Sequence, residues 1–258
     1  MNITTSNLTI FGKELPLYGL FFYFGIAVAV SVAFFLRKKK NVDSFDLVCS
    51  AVYTMIGAIL GAKLLFIAVS IPTIIKYNIP IVNIIKGGFV FYGGLIGGIL
   101  GLFIYTKQFK LPTIDFFTLY APVVPFGHAF GRVGCFFAGC CYGMEYDGPL
   151  HCIYHDTLGT TPLETPLLPI QLIEAVLLVL IFAVLIVLYC KNSPNVIATY
   201  MLLYGIVRFT LEFFRGDRER GLYFSVSTSQ WISIGLIVAG LLLIFLPKFK
   251  KAKQKNQP

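Results

Sequence analysis

Residues 15–40 read LPLYGLFFYFGIAVAVSVAFFLRKKK, in which 22 residues without a charge run directly into four consecutive cations. A helix needs about 20 mostly apolar residues to cross the hydrocarbon layer of a bilayer. A basic cluster at the end of such a run is the usual mark of the cytoplasmic side. The stretch therefore predicts a transmembrane helix that stops at Arg37. Six more stretches of the same kind follow, at about 47–70, 88–106, 113–130, 170–190, 196–214 and 228–247. The whole chain agrees with them. It has 258 residues, 57% hydrophobic and only 13% charged, where a soluble domain carries about 25% charged residues. The expected fold class is an all-α integral membrane protein of seven transmembrane helices, with residues 1–258 forming a single polytopic membrane domain.

The net charge of +9 invites a nucleic-acid reading, which the placement of the cations removes. Nine of the 21 Lys and Arg lie in Arg37–Lys40 and in the C-terminal Lys248, Lys250, Lys251, Lys253 and Lys255, where they read as topology signals and anionic-lipid contacts. No nucleic acid is expected as a partner. The loops 37–46, 107–112 and 191–195 and the C-terminal tail hold four, two, one and five basic residues. All four fall on one side of a seven-span chain. That side is the cytoplasm, which sets the N-terminus outside, together with the segments near 71–87, 131–169 and 215–227. Met1–Pro16 is polar and carries no basic n-region, so no cleaved leader is expected. Arginine breaks the pattern that lysine obeys. Five of the six arginines, Arg132, Arg208, Arg215, Arg218 and Arg220, fall at or near outer span ends.

These arginines sit in the stretches richest in chemistry. Residues 125–143 read PFGHAFGRVGCFFAGCCYG. A buried arginine near a membrane costs a few kcal/mol, about 2.5–3.5 at the midplane, unless it meets an anion or lines water. Glycines beside it let a phosphate approach the backbone. Residues 208–218 read RFTLEFFRGDR, where helical spacing sets Arg208, Glu212 and Arg215 on one face. One carboxylate for two guanidiniums leaves a positive charge that attracts an anion. Arg218 and Arg220 read as loop charges balanced by Asp217 and Glu219. In PIQLIEA, 169–175, Glu174 of an apolar helix should face the interior and a partner. Glycines also recur at 57, 61, 93, 97, 98 and 101. The spacing of four gives helices a smooth packing face, although Gly93 and Gly94, beside Phe91 and Tyr92, are less simply assigned to packing.

Tyr18-Gly19, the run FYGGLIG at 91–97, GRVG at 131–134, PIQLIE at 169–174 and EFFR at 212–215 occur in that order. Together they resemble the bacterial prolipoprotein diacylglyceryl transferase family, over about residues 12–245. The resemblance implies transfer of the diacylglyceryl group of phosphatidylglycerol to the lipobox cysteine thiol of a prolipoprotein, with a thioether formed and glycerol phosphate released. Its partners would be phosphatidylglycerol, membrane lipid and the lipobox segment. Its place would be the bacterial cytoplasmic membrane with the active site toward the outer face. No cofactor or metal is implied.

Arg132 and Arg215 are the expected cations for the departing phosphate, with His128 and Tyr92 the remaining catalytic candidates. Tyr18, Gly93, Gly94, Gly131, Gly134, Gly143, Gln171, Glu174, Arg208 and Glu212 complete the expected substrate site. Where the family commonly reads His-Gly-Gly-Leu, this chain has Tyr92-Gly93-Gly94-Leu95, so its imidazole is missing. His128, four residues before Arg132, could replace it if the helix continues that far. Cys135, Cys140, Cys141 and Cys152 crowd the outer segment beside His151 and His155. They could form disulfides, bind metal or pack as small apolar residues. The alternative reading of the chain is a divergent membrane protein using Cys135, Cys140 and Cys141 for thiol redox or metal work.

Overall fold

In the computed structural model the apolar stretches fold as helices. The structure describes residues 1–3, 7–10, 13–77, 80, 82, 87–217, 222–223 and 226–255. Its α-helices are α1 (Leu17–Leu36), α2 (Ser44–Tyr77), α3 (Phe91–Gln108), α4 (Thr113–Ala138), α5 (Ile170–Cys190), α6 (Val196–Leu211) and α7 (Thr228–Lys255). Five stretches, Leu17–Lys40, Ser44–Tyr77, Ile170–Cys190, Val196–Phe214 and Thr228–Leu246, are long and apolar enough to cross a membrane. α3 and α4, diluted by glycine, polar residues and Pro122 and Pro125, fall outside that set among the described residues. Large apolar side chains such as Phe35, Ile75, Ile114 and Phe213 are exposed, as expected where lipid replaces water as solvent.

The chain divides into two compact units, one of Met1–Val32 with Tyr120–Pro258 and one of Ala33–Leu119. In the Ala33–Leu119 unit, α2 and α3 pack backbone to backbone. A Cβ on Gly97 would sit 2.1 Å from the Gly57 carbonyl oxygen, and one on Gly93 2.3 Å from that of Gly61. Gly93 is thus a packing glycine as firmly as Gly97 and Gly101, while Gly94 has only ordinary contacts at 3.4 Å and beyond. At the far end of the pair Tyr105 donates to Asp46 at 2.8 Å. Lys40 closes on Asp115 at 2.9 Å. α2 also carries a cation that the apolar pattern hides. Lys63 donates to the carbonyls of Gly87 at 2.8 Å and Gly88 at 3.2 Å, and lies 4.4 Å from the Phe89 ring centroid.

In the other unit, Gly25 of α1 meets Phe130 and the Gly127 carbonyl of α4. Gly134 meets Tyr18. This packing explains why residues 127–134 remain helical despite three glycines, each of which costs a helix about 1 kcal/mol. The expected end of this span near 130 is therefore corrected, since α4 runs on to Ala138 and carries Arg132 on continuous helix. α5 packs on α4 through stacked Phe126 and Phe182 and a core of Ala129, Ala175 and Leu178. α6 packs on α7 where Gly205 faces Ser233 and Ile237. The segment after α4 builds a small core from Ile3, Phe136, Cys152, Tyr154 and Leu167. Here the N-terminal strand β1 (Asn2–Ile3) pairs in parallel with Ile153–Tyr154.

Candidate active site

Three guanidinium–carboxylate pairs define the polar interior of the Met1–Val32 and Tyr120–Pro258 unit. On α4, Arg132 Nε lies 3.1 Å from Glu174 Oε1 of α5, with the two side chains 13% and 2% exposed. The N–H is not aimed at the oxygen, so this is an ion pair without an aligned hydrogen bond, and neither atom has a hydrogen-bond partner among the described residues. The expected interior partner of Glu174 is therefore Arg132. On α6, Arg208 pairs with Glu212 at the i,i+4 spacing and donates through Nη2 to Ser229 Oγ at 3.1 Å. Its Nη1 is buried with no acceptor among the described residues.

Arg215 departs from the expected geometry. The α-helix ends at Leu211, a 3-10 turn covers Glu212–Phe214, and Arg215 is extended at φ −81°, ψ 140°. It leaves the face shared by Arg208 and Glu212 and instead grips Asp217 with two parallel bonds, Nε at 2.8 Å and Nη2 at 2.7 Å. Asp217 thus serves Arg215, and the expected loop charges at 218 and 220 lie outside the described residues. The expectation of a surplus cation on one face is corrected to three buried pairs. Arg215 is fixed further by an antiparallel bridge to Gly143, with Met144 N–H donating to the Phe214 carbonyl and Gly216 N–H to that of Tyr142. A side chain at 143 would meet the Leu168 carbonyl oxygen at 2.4 Å, so the close approach requires glycine.

Burial works against the charge on Arg215, but the Asp217 carboxylate and the Cys141 sulfur, which hydrogen-bonds it, outweigh burial and hold the guanidinium above its ordinary pKa. Cys141 responds in the opposite sense. Hydrogen bonds from Cys135 and Cys140, then the nearby Arg215 and Arg132, hold its thiol well below the usual range. No disulfide joins any cysteine among the described residues.

His128 stands edge-on to Tyr204, 5.8 Å between ring centroids, and within electrostatic range of both Arg132 and Arg208. The helix does continue, so His128 and Arg132 share a face of α4. Gln171 is buried and donates to the Cys140 carbonyl at 2.8 Å, while its Oε1 has no hydrogen-bond partner among the described residues. Gly131 has nothing within 4 Å of an added Cβ among the described residues, whereas Gly134 is spent on packing against Tyr18. Tyr18 itself lies within electrostatic range of Arg132, Cys135, Cys140 and Cys141. Tyr92, Gly93 and Gly94 belong to the Ala33–Leu119 unit. Sequence reasoning missed Asp217 as the partner of Arg215, Ser229 as a support for Arg208, and Lys63. The charge of Lys63 inside an apolar run was the available signal.

Taken together, fold and site define a multi-pass α-helical membrane protein with paired guanidiniums buried at the ends of its helices, an arrangement suited to an anionic group at the edge of a lipid phase. Residues 6–246 match the family described as prolipoprotein diacylglyceryl transferase, and the chain belongs to that family. It is 33% identical over 244 residues to the phosphatidylglycerol–prolipoprotein diacylglyceryl transferase of Clostridium tetani, covering 94% of this chain and 97% of that protein. A second relative, phosphatidylglycerol–prolipoprotein diacylglyceryl transferase 2 of Clostridium perfringens, is 32% identical over 253 residues, 96% and 97% of the two chains. The enzyme of the same name from Aeromonas salmonicida is 31% identical over 239 residues, 88% of this chain and 84% of that one. The family assignment does not favour the alternative of a divergent redox or metal protein as the chain's main role.

Proposed function

We propose that this chain transfers the diacylglyceryl group of phosphatidylglycerol to the lipobox cysteine of a prolipoprotein. The observation that carries the reading is the set of buried guanidinium N–H groups, Arg132 Nε and Arg208 Nη1, without hydrogen-bond acceptors among the described residues. Buried polar atoms are ordinarily satisfied, and a phosphodiester would supply the missing acceptors. The reaction is a displacement at glycerol carbon. The acceptor thiolate forms the S–C bond, the C–O bond to phosphate breaks, and glycerol phosphate leaves with the electron pair. A thiol of pKa about 8.5 is a poor nucleophile until deprotonated, and the departing phosphate needs cations positioned in advance.

In this scheme Arg132 and Arg215 hold the phosphate, and Arg208 with Glu212 supports it. Glu174, Gln171 and Gly143 fix the guanidiniums and the turn beside them. Gly131 leaves space for the headgroup, while Tyr18 flanks it. His128 accepts the thiol proton, with Tyr92 the second candidate and Gly93 and Gly94 beside it. The chain works as one polytopic domain of the bacterial cytoplasmic membrane, crossing it seven times with its N-terminus outside, its C-terminus in the cytoplasm and the site toward the outer face. The basic Arg37–Lys40 and C-terminal lysines support that orientation. Complementation tests the function: expression of this chain should restore lipoprotein maturation in a bacterium depleted of its own transferase. Failure of a well-expressed, membrane-inserted chain to do so would overturn the proposal.

A further inference from the structure

The end of α4 brings three thiols together by a specific backbone device. Gly139 takes the left-handed conformation at φ +64°, its N–H donates to the Phe136 carbonyl at 3.2 Å, and Cys140 N–H reaches back to the Cys135 carbonyl at 3.1 Å. This pair of bonds is the Schellman cap, which sets the residue two beyond the cap against the one three positions before it. Those two positions are Cys140 and Cys135. Cys141, also left-handed at φ 57°, turns the third sulfur inward. Ligand atoms of Cys135, Cys140 and Cys141 all lie within 4.8 Å of one another, and each residue is half-buried.

The turn is held on every side. Thr157 Oγ1 donates to the Ala138 carbonyl at 2.9 Å, Thr161 donates to that of Gly139 through both its backbone N–H and its hydroxyl, and Gln171 donates to that of Cys140 at 2.8 Å. A Cβ on Gly139 would collide with Thr157, so the cap cannot be rebuilt with another residue without moving the threonine.

We propose that Cys135, Cys140 and Cys141 form a three-coordinate binding site for one soft, thiophilic cation, Cu(I), in addition to the transferase site. Metal–sulfur bonds of about 2.3 Å hold thiolates roughly 3.8–4.0 Å apart, so the sulfurs need close by no more than about 1 Å. Soft sulfur donors select Cu(I), zinc and iron–sulfur centres. Zinc prefers four protein ligands in a closed site, and no fourth His, Cys, Asp or Glu joins this group among the described residues. A trigonal Cu(I) centre is complete with three. On binding, each of the three sulfurs coordinates as thiolate, any thiol proton leaves to water, and the ion stays Cu(I). The centre then carries two negative charges, which Arg215 and Arg132, both within electrostatic range of Cys141, help to offset.

The test is an anaerobic titration of the reduced, detergent-solubilised full chain with Cu(I) against a chromophoric Cu(I) chelator. The parent should bind one ion per chain, Cys140→Ser should lose at least about 100-fold in affinity, and Cys190→Ser should match the parent. Binding by the parent no tighter than by a Cys135→Ser, Cys140→Ser, Cys141→Ser triple variant would overturn the site. So would one-to-one zinc binding in preference to Cu(I). Because the variants could misfold, alkylation of the unaltered protein gives an independent reading. Cu(I) should shield Cys135, Cys140 and Cys141 from iodoacetamide and leave Cys190 labelled, and equal labelling of all four with and without Cu(I) would also overturn the proposal.

Discussion

Replacing Arg132 by Gln separates the structural from the chemical role of the best-defined buried pair. Glu174 is 2% exposed, and its cationic partner among the described residues is Arg132. Removing one member of a buried pair leaves an uncompensated charge and costs about 3–5 kcal/mol, a large share of the 5–15 kcal/mol that typically holds a domain folded. Arg132→Gln alone should therefore unfold at a markedly lower temperature. Adding Glu174→Gln removes the stranded charge, since replacing both partners of a buried pair is often close to neutral. The double variant should return to within about 2 kcal/mol of the parent. Transfer should not return with it. A hydrogen bond to a charged group contributes about 1.5–3 kcal/mol, and each 1.4 kcal/mol is tenfold, so the rate should stay about 10- to 100-fold down. The assay is thermal unfolding in detergent beside the mass change of a lipobox peptide given phosphatidylglycerol. A double variant that regains stability and transfers at the parental rate would refute the assignment of Arg132 to the phosphate.

Gly131→Ala meets open space and exchanges a helix-weakening residue for the best helix former, so stability should hold or rise by up to about 1 kcal/mol. Transfer should still fall, with KM for phosphatidylglycerol rising, because the methyl fills the space allotted to the headgroup. Gly97→Ala should destabilise by about 1–3 kcal/mol or more, since its Cβ would sit 2.1 Å from the Gly57 carbonyl oxygen, while Gly98→Ala, with nothing nearer than 3.5 Å, should be mild. Thermal unfolding distinguishes them. His128→Gln should cut transfer about 100-fold, whereas Tyr92→Phe retains more activity; parental rates for His128→Gln across pH 6–9 would exclude it as the base.

The helices were legible because burial in lipid demands long apolar runs, and α5 begins and ends where its hydropathy does, at Ile170 and Cys190. The end of α4 was not. Glycine signals a break in isolation, and the approach of Tyr18 to Gly134 and of Gly25 to Phe130 supports the helix through that stretch. Arg132, Arg208, Glu174 and Glu212 stood out as charges in apolar surroundings. The Arg208–Glu212 pair followed from helical spacing, but the partners of Arg132 and Arg215 did not, because spacing along one helix predicts partners only while the helix lasts. Arg215 turned to Asp217 as soon as α6 ended at Leu211. Lys63 was hidden by the run around it, and its partners, the Gly87 and Gly88 carbonyls, lie 24 and 25 residues away in sequence. The cysteines were conspicuous as a composition, but their convergence depends on the left-handed turns at Gly139 and Cys141.

The most direct measurement is the product formed on a lipobox peptide by the purified chain in vesicles containing phosphatidylglycerol. Displacement at glycerol carbon predicts that the peptide gains a whole diacylglyceryl group through a hydroxylamine-resistant thioether, with one glycerol phosphate released per peptide and no product when the lipobox cysteine is replaced by serine. A peptide that gains a single acyl chain through a hydroxylamine-labile thioester, or no lipid from a folded enzyme, would contradict the account.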